Sequence, residues 1–417
     1  MSLYPIWKYG RFFIGTYFVL GAIILEILCS PWLATYGLIG ISIIFLGDVL
    51  LPKDEDVYTY NNPGIFYPIQ YASQLIDITA VIMFGWILGA TYGGNAIAGG
   101  DFLGISAAIN YITGYDMLAA YTTGTHAGEV SLFTAFAFAA GAAAQASIAV
   151  GHELTHRINN RVAVFFGRLG EAFGMHTRFS IRHPYGHHNW VCTEKDPATA
   201  QRGENFYPFI IRSIIGQNIQ VWELEKTRLS KMGKTAFTWE NHALRGWAME
   251  ALVLVGFYIS AGWVGALGFL AVGVAVNLAL EAANYIEHFG LVRIPSEPQQ
   301  VRHAWNDNHM MSFWLTSAIS RHAHHHANAD IEFWNLEPMV DEAPTTLFGY
   351  LPTFLVATIP PLWHHLMNKK LLEWDEQFAT EAEKEIIVKA NLNSNQPVLI
   401  EAANNYLSNK ENKAIAA

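Results

Sequence analysis

Cysteine is nearly absent from this 417-residue chain, which carries only Cys29 and Cys192. Two thiols exclude a disulfide scaffold, and they exclude a four-cysteine rubredoxin site or a cysteine-held iron–sulfur cluster within the chain. Charge is scarce as well: 14% of residues are charged, against about 25% in a soluble domain. With 52% hydrophobic residues, that shortage disfavours an ordinary cytosolic enzyme and points to the membrane. Disorder is excluded for most of the length, because a disordered chain is polar and poor in aromatics, and here 13% of residues are aromatic. The net charge of −10 leaves no basic footprint for nucleic acid. No internal repeat, dinucleotide fingerprint or cleavable signal peptide is evident.

Long apolar runs are what the chain does have. Each membrane-crossing helix needs roughly 20 residues at 1.5 Å rise. Runs at about 11–29, 31–51, 67–92 and 130–151 supply one each, and 247–287 supplies two, turning around Gly262–Gly268. The fourth run is rich in Ala and Gly, as close helix contact in lipid favours. The run 347–367 holds Pro352, Pro360 and Pro361 and reads as a shorter membrane-associated segment. The expected fold is therefore an all-α integral membrane protein with six transmembrane helices. Residues 93–128 contain no Lys or Arg, whereas 157–245 contains thirteen of the 25 basic residues and seven acidic ones. By the positive-inside rule both termini and the 157–245 loop are cytoplasmic, and the 93–128 insert lies outside. A membrane-embedded domain over 1–375 is thus followed by a polar tail, 376–417, expected to mix helix with disorder.

Seventeen histidines are present, and ten of them fall in four tight groups. The groups are His152-Glu153-Leu154-Thr155-His156, His183-Pro184-Tyr185-Gly186-His187-His188, Asn284-Tyr285-Ile286-Glu287-His288, and His322-Ala323-His324-His325-His326. All four fall on the cytoplasmic side by the charge argument. Helical neighbours three and four apart share a face, so His152 aligns with His156, His183 with His187, and His322 with His325 and His326. His188 then points about 100° away, free for a second metal, and His324 falls off the shared face. Nine imidazoles (His152, His156, His183, His187, His188, His288, His322, His325 and His326) exceed what one metal takes and suit two with four or five nitrogens each. Imidazole suits iron, zinc, copper and nickel alike. His-Glu-x-x-His by itself also describes a membrane zinc protease with Glu153 as general base, but that reading needs none of the other three groups. Glu281 and Asn284 precede His288 on one helix face, where they either steady the ligand or make a structural hydrogen bond between helices. Buried Glu26, Asp48 and Asp77 read as structural. Surface or interface roles suit His126, His242, His364 and His365; His176, His303 and His309 read as supporting or structural.

At these four groups the sequence resembles the integral-membrane non-heme diiron hydroxylases of the alkane 1-monooxygenase and xylene monooxygenase family. Their wider superfamily includes the membrane fatty-acid desaturases. The resemblance runs over about 40–390. It rests on His152 to Arg157, His183 to His188, Asp196-Pro197-Ala198-Thr199, Asn284 to Gly290, and Ala304-Trp305-Asn306 with Asn308-His309. It implies two iron ions on the nine histidines, O2 as co-substrate, and hydroxylation of the terminal methyl group of a hydrophobic hydrocarbon drawn from membrane lipid. It also implies a rubredoxin or ferredoxin-type electron donor with an NAD(P)H reductase, and a bacterial inner membrane location. Glu153, Glu281 and Asn284 are the candidate catalytic residues beside the ligands. Asp196–Thr199 and Glu287-His288 look alkane-hydroxylase-like. Leu50–Asp54, Leu336–Pro338, Glu342–Pro344 and Leu371–Asp375 look more like the xylene enzyme, a methyl-arene monooxygenase. The positive excess of the 157–245 loop reads equally as a dock for an acidic donor or as a consequence of topology.

Overall fold

The computed structural model describes residues 4–93 and 100–416; positions 94–99 of the insert lie outside the described residues. Helix α1 (Trp7–Ile27), α2 (Leu33–Leu50), α3 (Pro63–Tyr92) and α4 (Leu132–His156) come first. Amphipathic α5 (Arg161–Phe173), α6 (Phe206–Lys231) and the 47-residue α7 (His242–His288) follow. Side chains set the starts: Ser131 caps α4, Asn160 caps α5 and Asn241 caps α7, each accepting backbone N–H bonds of the first turn. Among the described residues α1–α4 and α7 are long and apolar enough to cross a bilayer. Leu38, Ile39 and Leu46 of α2 and Leu252, Trp263 and Leu267 of α7 are exposed, an apolar surface suited to lipid and not to water. The protein is an integral membrane protein.

Helix α7 is not one rod. Ala261 (φ −137°) and Gly262 (φ 60°, ψ −140°) leave the helical range. On an uninterrupted helix residues 257 and 269 would stand about 18 Å apart, yet the rings of Phe257 and Phe269 are 5.0 Å apart. The helix folds back on itself, and Gly262 takes the left-handed conformation that glycine tolerates. This is the turn expected near Gly262–Gly268, at its first residue.

Small residues draw the bundle together. Ala135, Ala139, Ala142, Ala143 and Ala146 of α4 are buried on one stripe, which lets backbones approach closely. Polar groups inside the bundle tie elements to one another: Thr16 donates to Asp77 at 3.2 Å, and Asp48 accepts from Ser312 Oγ at 2.7 Å and the Leu351 N–H at 3.2 Å. The described part of the insert folds over the ends of α1 and α3. Asp101 accepts from Trp86 Nε1 at 2.9 Å and the Ser106 N–H at 2.8 Å, and Tyr121 donates to the Glu26 carbonyl at 2.7 Å. Because α4 runs away from this end, the insert and the histidines of α4 occupy opposite ends of the bundle.

The proline-bearing run forms α8 (Tyr350–Ala357) and α9 (Pro360–Gln377), and the tail forms α10 (Glu381–Leu392) and α11 (Pro397–Ala416). The described tail has its own burial: Ile387, Leu399 and Ala403 are buried. Arg202 of the 157–245 loop reaches Asp375 at 2.5 Å and Asn391 at 2.8 Å, clamping the tail to the body.

Gly170 of α5 rests directly on α4, where an added Cβ would collide with the Ala146 carbonyl and the Gln74 amide. Gly170→Ala is expected to cost about 1–3 kcal/mol of stability, the usual range for overpacking. Gly141→Ala, whose Cβ meets nothing within 4 Å, is expected to change little. Thermal unfolding in detergent measures both.

Candidate metal centre

Helix α4 delivers His152 and His156 from its last turns, one helical turn apart. A π-helical turn, Gln145–Ala149, immediately precedes them, and His183–His187 forms a second. Such turns collect at functional sites, and their i→i+5 bonding changes which residues align. His183 therefore lines up with His188, not with His187. His288 closes α7, after which Gly290 turns at positive φ (68°). The helix His322–Ala327 keeps His322 and His326 together and turns His325 the other way.

The nine expected imidazoles thus meet as two sets. His152, His156, His183, His188 and His325 form one, and His187, His288, His322 and His326 the other; one nitrogen from each residue lies within 4.8 Å of its set-mates. An α-helical reading put His183 with His187 and grouped His322 with His325. The π turn explains the first exchange.

The nitrogens are spaced as ligands are. His152 Nε2 lies 2.7 Å from His183 Nε2 and 3.1 Å from His156 Nε2. His183 and His188 approach to 3.0 Å, and His288 and His322 to 3.1 Å. Two imidazoles each bound at about 2.1 Å to one ion at right angles have nitrogens about 3 Å apart. Burial, reinforced by neighbouring imidazoles, pushes His183, His188, His322, His325 and His326 well below the usual imidazole range. They are held neutral, the form that binds metal. His325 Nε2 and His326 Nε2 are buried without a hydrogen-bond partner. A neutral, buried set of crowded nitrogens fits metal ions, and imidazole alone does not select which.

Partners on the far ring nitrogens orient the second set in particular. His187 Nδ1 meets Asp196 at 2.9 Å, and Asp196 also accepts from Arg182 and from Thr199 Oγ1 at 2.7 Å. Burial opposes the Asp196 charge, but Arg182 and His187 overcome it and hold the carboxyl well below the usual range. His288 Nδ1 donates to the His303 carbonyl at 3.2 Å, and His326 Nδ1 to Gln299 Oε1 at 3.1 Å. Gln299 also contacts His188 Nδ1 at 3.3 Å, so it touches both sets. Glu287 Oε2 stands 3.2 Å from His322 Nε2, and its other oxygen accepts from the Tyr350 hydroxyl at 2.7 Å.

The remaining candidates lie outside the two sets. Glu153 points to a strap, accepting from the Phe333 N–H at 3.3 Å and facing Arg157 at 3.4 Å. Glu281 accepts from Gln217 at 2.6 Å and from Asn284 at 3.3 Å, with Arg178 at 3.5 Å; Glu281 and Asn284 form a buried polar knot on the helix that ends in His288. His324 accepts the Glu337 N–H at 2.8 Å, away from the imidazoles. Asp196 and Glu287 lie within the sequence motifs, where spacing alone assigns them no role. Gln299 and Tyr350 had no sequence signal, since each sits in or next to an irregular segment.

Fold and site together define an apolar helical membrane protein carrying a histidine-built metal site. Comparison with known proteins places it. The family model described as fatty acid desaturase matches residues 129–357, more than half of the chain, and the chain belongs to that family. Over 242 residues it is 34% identical to the alkane 1-monooxygenase of Acinetobacter baylyi, covering 57% of this chain and 59% of that protein. It is 33% identical over 264 residues to alkane 1-monooxygenase 1 of Alcanivorax borkumensis, covering 62% and 65%. It is 30% identical over 259 residues to the xylene/toluene monooxygenase hydroxylase component XylM of Pseudomonas putida, covering 61% and 69%. The chain therefore spans less than two thirds of the length of the two alkane 1-monooxygenases.

His325→Ala is expected to lower the metal bound per chain, and His324→Ala to leave it unchanged. Elemental analysis of the purified variants distinguishes the two outcomes.

Proposed function

We propose that the protein is a non-heme diiron monooxygenase that converts the terminal methyl group of a hydrophobic hydrocarbon to a primary alcohol, alkane to 1-alkanol. The observation that carries this reading is the pair of neighbouring imidazole sets, His152/His156/His183/His188/His325 and His187/His288/His322/His326. Similarity to alkane 1-monooxygenases supports the reaction class. Two irons held there would supply the O2-activating redox chemistry. One oxygen atom of O2 enters the substrate C–H bond; the other leaves as water, with two electrons and two protons from outside.

The chain's own residues position and exclude. His187 keeps its Nδ1 proton toward Asp196, and His288 keeps its own toward the His303 carbonyl, so each presents Nε2 to its set. The apolar bundle keeps water from the site and lets a hydrocarbon arrive from lipid. Glu153, Glu281 and Asn284 act in this reading by fixing the ends of α4 and α7, which carry His152, His156 and His288. Cys29 and Cys192 are both buried and unpaired, so the electrons come from a separate donor of rubredoxin or ferredoxin type with its NAD(P)H reductase. With α7 folded back at Gly262, the apolar segments make six crossings, and the positive-inside count puts the termini and the metal site in the cytoplasm. A bacterial inner membrane suits this topology.

A methyl-arene substrate is the second reading, favoured by the match that covers 69% of XylM. Cells expressing the chain with a donor and reductase, given octane and p-xylene together under O2, separate the two. 1-Octanol as the dominant product is the expected result; 4-methylbenzyl alcohol would move the substrate to methyl-arenes, and an alkene would make the chain a desaturase.

A further inference from the structure

The last helices reach the metal centre through a chain of hydrogen bonds. The His303 carbonyl accepts from His288 Nδ1 at 3.2 Å and from Cys192 Sγ at 3.0 Å. The His303 ring is fixed at both nitrogens. Its Nδ1 accepts the Gln300 N–H at 3.0 Å, which places the ring proton on Nε2, and Nε2 donates to Glu383 Oε1 at 2.8 Å. Glu383 stands in the first turn of α10 with 0% exposure. The same carboxylate takes Arg302 Nη2 at 3.2 Å and the Thr380 N–H at 2.8 Å. Trp374 of α9 adds a bond from Nε1 to the Arg302 carbonyl at 2.7 Å. The turn Val301–His303 is thus gripped from the tail side on its ring, its guanidinium and its backbone.

We propose that Glu383 is a positioning residue for His288, so that the tail sets the orientation of one imidazole in the four-histidine set. The inference rests on the metal-site reading above. Without the carboxylate, the His303 Nε2–H is a buried donor with no acceptor, a costly state. The ring then has to move, and the carbonyl that holds the His288 proton moves with its residue. Freed of that acceptor, His288 can rotate its Nε2 away from its set. Loss of such an outer partner typically weakens metal binding by 10–100-fold. Glu383 would affect one metal and spare the other, since the five-histidine set has no bond to this turn among the described residues.

The test uses the full chain, purified in detergent and loaded anaerobically with 57Fe(II). Iron per chain, the rate of iron release to a chelator and the Mössbauer spectrum are recorded for wild type, Glu383→Ala, Glu383→Gln and Thr380→Ala. Glu383→Ala is expected to release one of two irons roughly 10–100-fold faster and to change one of two quadrupole doublets. Glu383→Gln keeps an acceptor oxygen for His303 and should restore slow release. Thr380→Ala removes the cap hydroxyl of α10, and with it the 3.0 Å bond to Glu383 Oε2, but leaves Glu383 Oε1 on His303 Nε2, so its release should match wild type. Should Glu383→Ala fail to fold, Glu383→Asp takes its place, its carboxylate one methylene short, with faster release again expected. Wild-type release and spectrum in the alanine or aspartate variant overturn the proposal. So does Thr380→Ala releasing iron as fast as Glu383→Ala, which would make the effect mere docking of the tail. A wild-type chain that binds no iron overturns the metal-site reading instead, and this inference with it.

Discussion

The rest of the structure is arranged around buried imidazoles whose ring nitrogens crowd one another at hydrogen-bonding distance. Nitrogens 2.7–3.1 Å apart, such as those of His152, His183 and His188, repel unless a proton or a metal stands between them. Protons alone are a poor solution. One proton bridges one pair, while each further proton adds a like charge to a site where burial already opposes charge. A divalent cation satisfies several nitrogens at once. The same crowding that is unfavourable in an empty site is the geometry a bound ion requires.

Holding such a site demands rigid supports, and the chain provides them at helix ends. His152 and His156 close α4 and His288 closes α7, so three of the nine imidazoles sit where a long helix emerges from the apolar bundle. The alanine stripe of α4 and the hairpin of α7 fix those ends relative to each other. Glu281, Asn284, Gln217 and Arg178 then lock α7 against α6 and the segment before His183. A buried charged knot of this sort adds little net stability, yet breaking it by removing one partner is strongly destabilising. Its value lies in fixing one register of α7, and with it the direction of His288.

Much of this was legible in the sequence because it is periodic. Apolar runs of span length, the glycine at 262 and the histidine spacing of α4 are local patterns with one physical meaning each. Which nine imidazoles come together was legible as well, but their division into two sets was not. The division depends on the π turn at His183–His187, and nothing in His-Pro-Tyr-Gly-His-His announces i→i+5 bonding in place of i→i+4. The order of the tail was hidden for a different reason. Residues 376–417 are polar on average, and buried Glu383 and Asn391 matter through partners some 80 to 190 positions away, His303 and Arg202. Sequence-distant polar contacts have no periodicity to read.

The positive excess of the 157–245 loop shows how structure reassigns a charge count. Arg178 pairs with Glu281, Arg182 with Asp196, Arg202 with Asp375, Arg212 with Glu204, Arg228 with Glu225, and Lys234 with Glu240. Arg157 is taken by Glu332 at 2.6 Å. Several of these cations are buried, and several of their acidic partners lie outside the loop, on α7, α9 or the strap at Glu332. Three of the loop's six surplus positive charges are therefore matched by acidic groups elsewhere in the protein, Glu281, Asp375 and Glu332. Arg182 and Arg202 act inward, orienting His187 through Asp196 and anchoring the tail through Asn391. Attraction of an acidic electron donor would then have to come from the few cations left at the surface, where salt screens them.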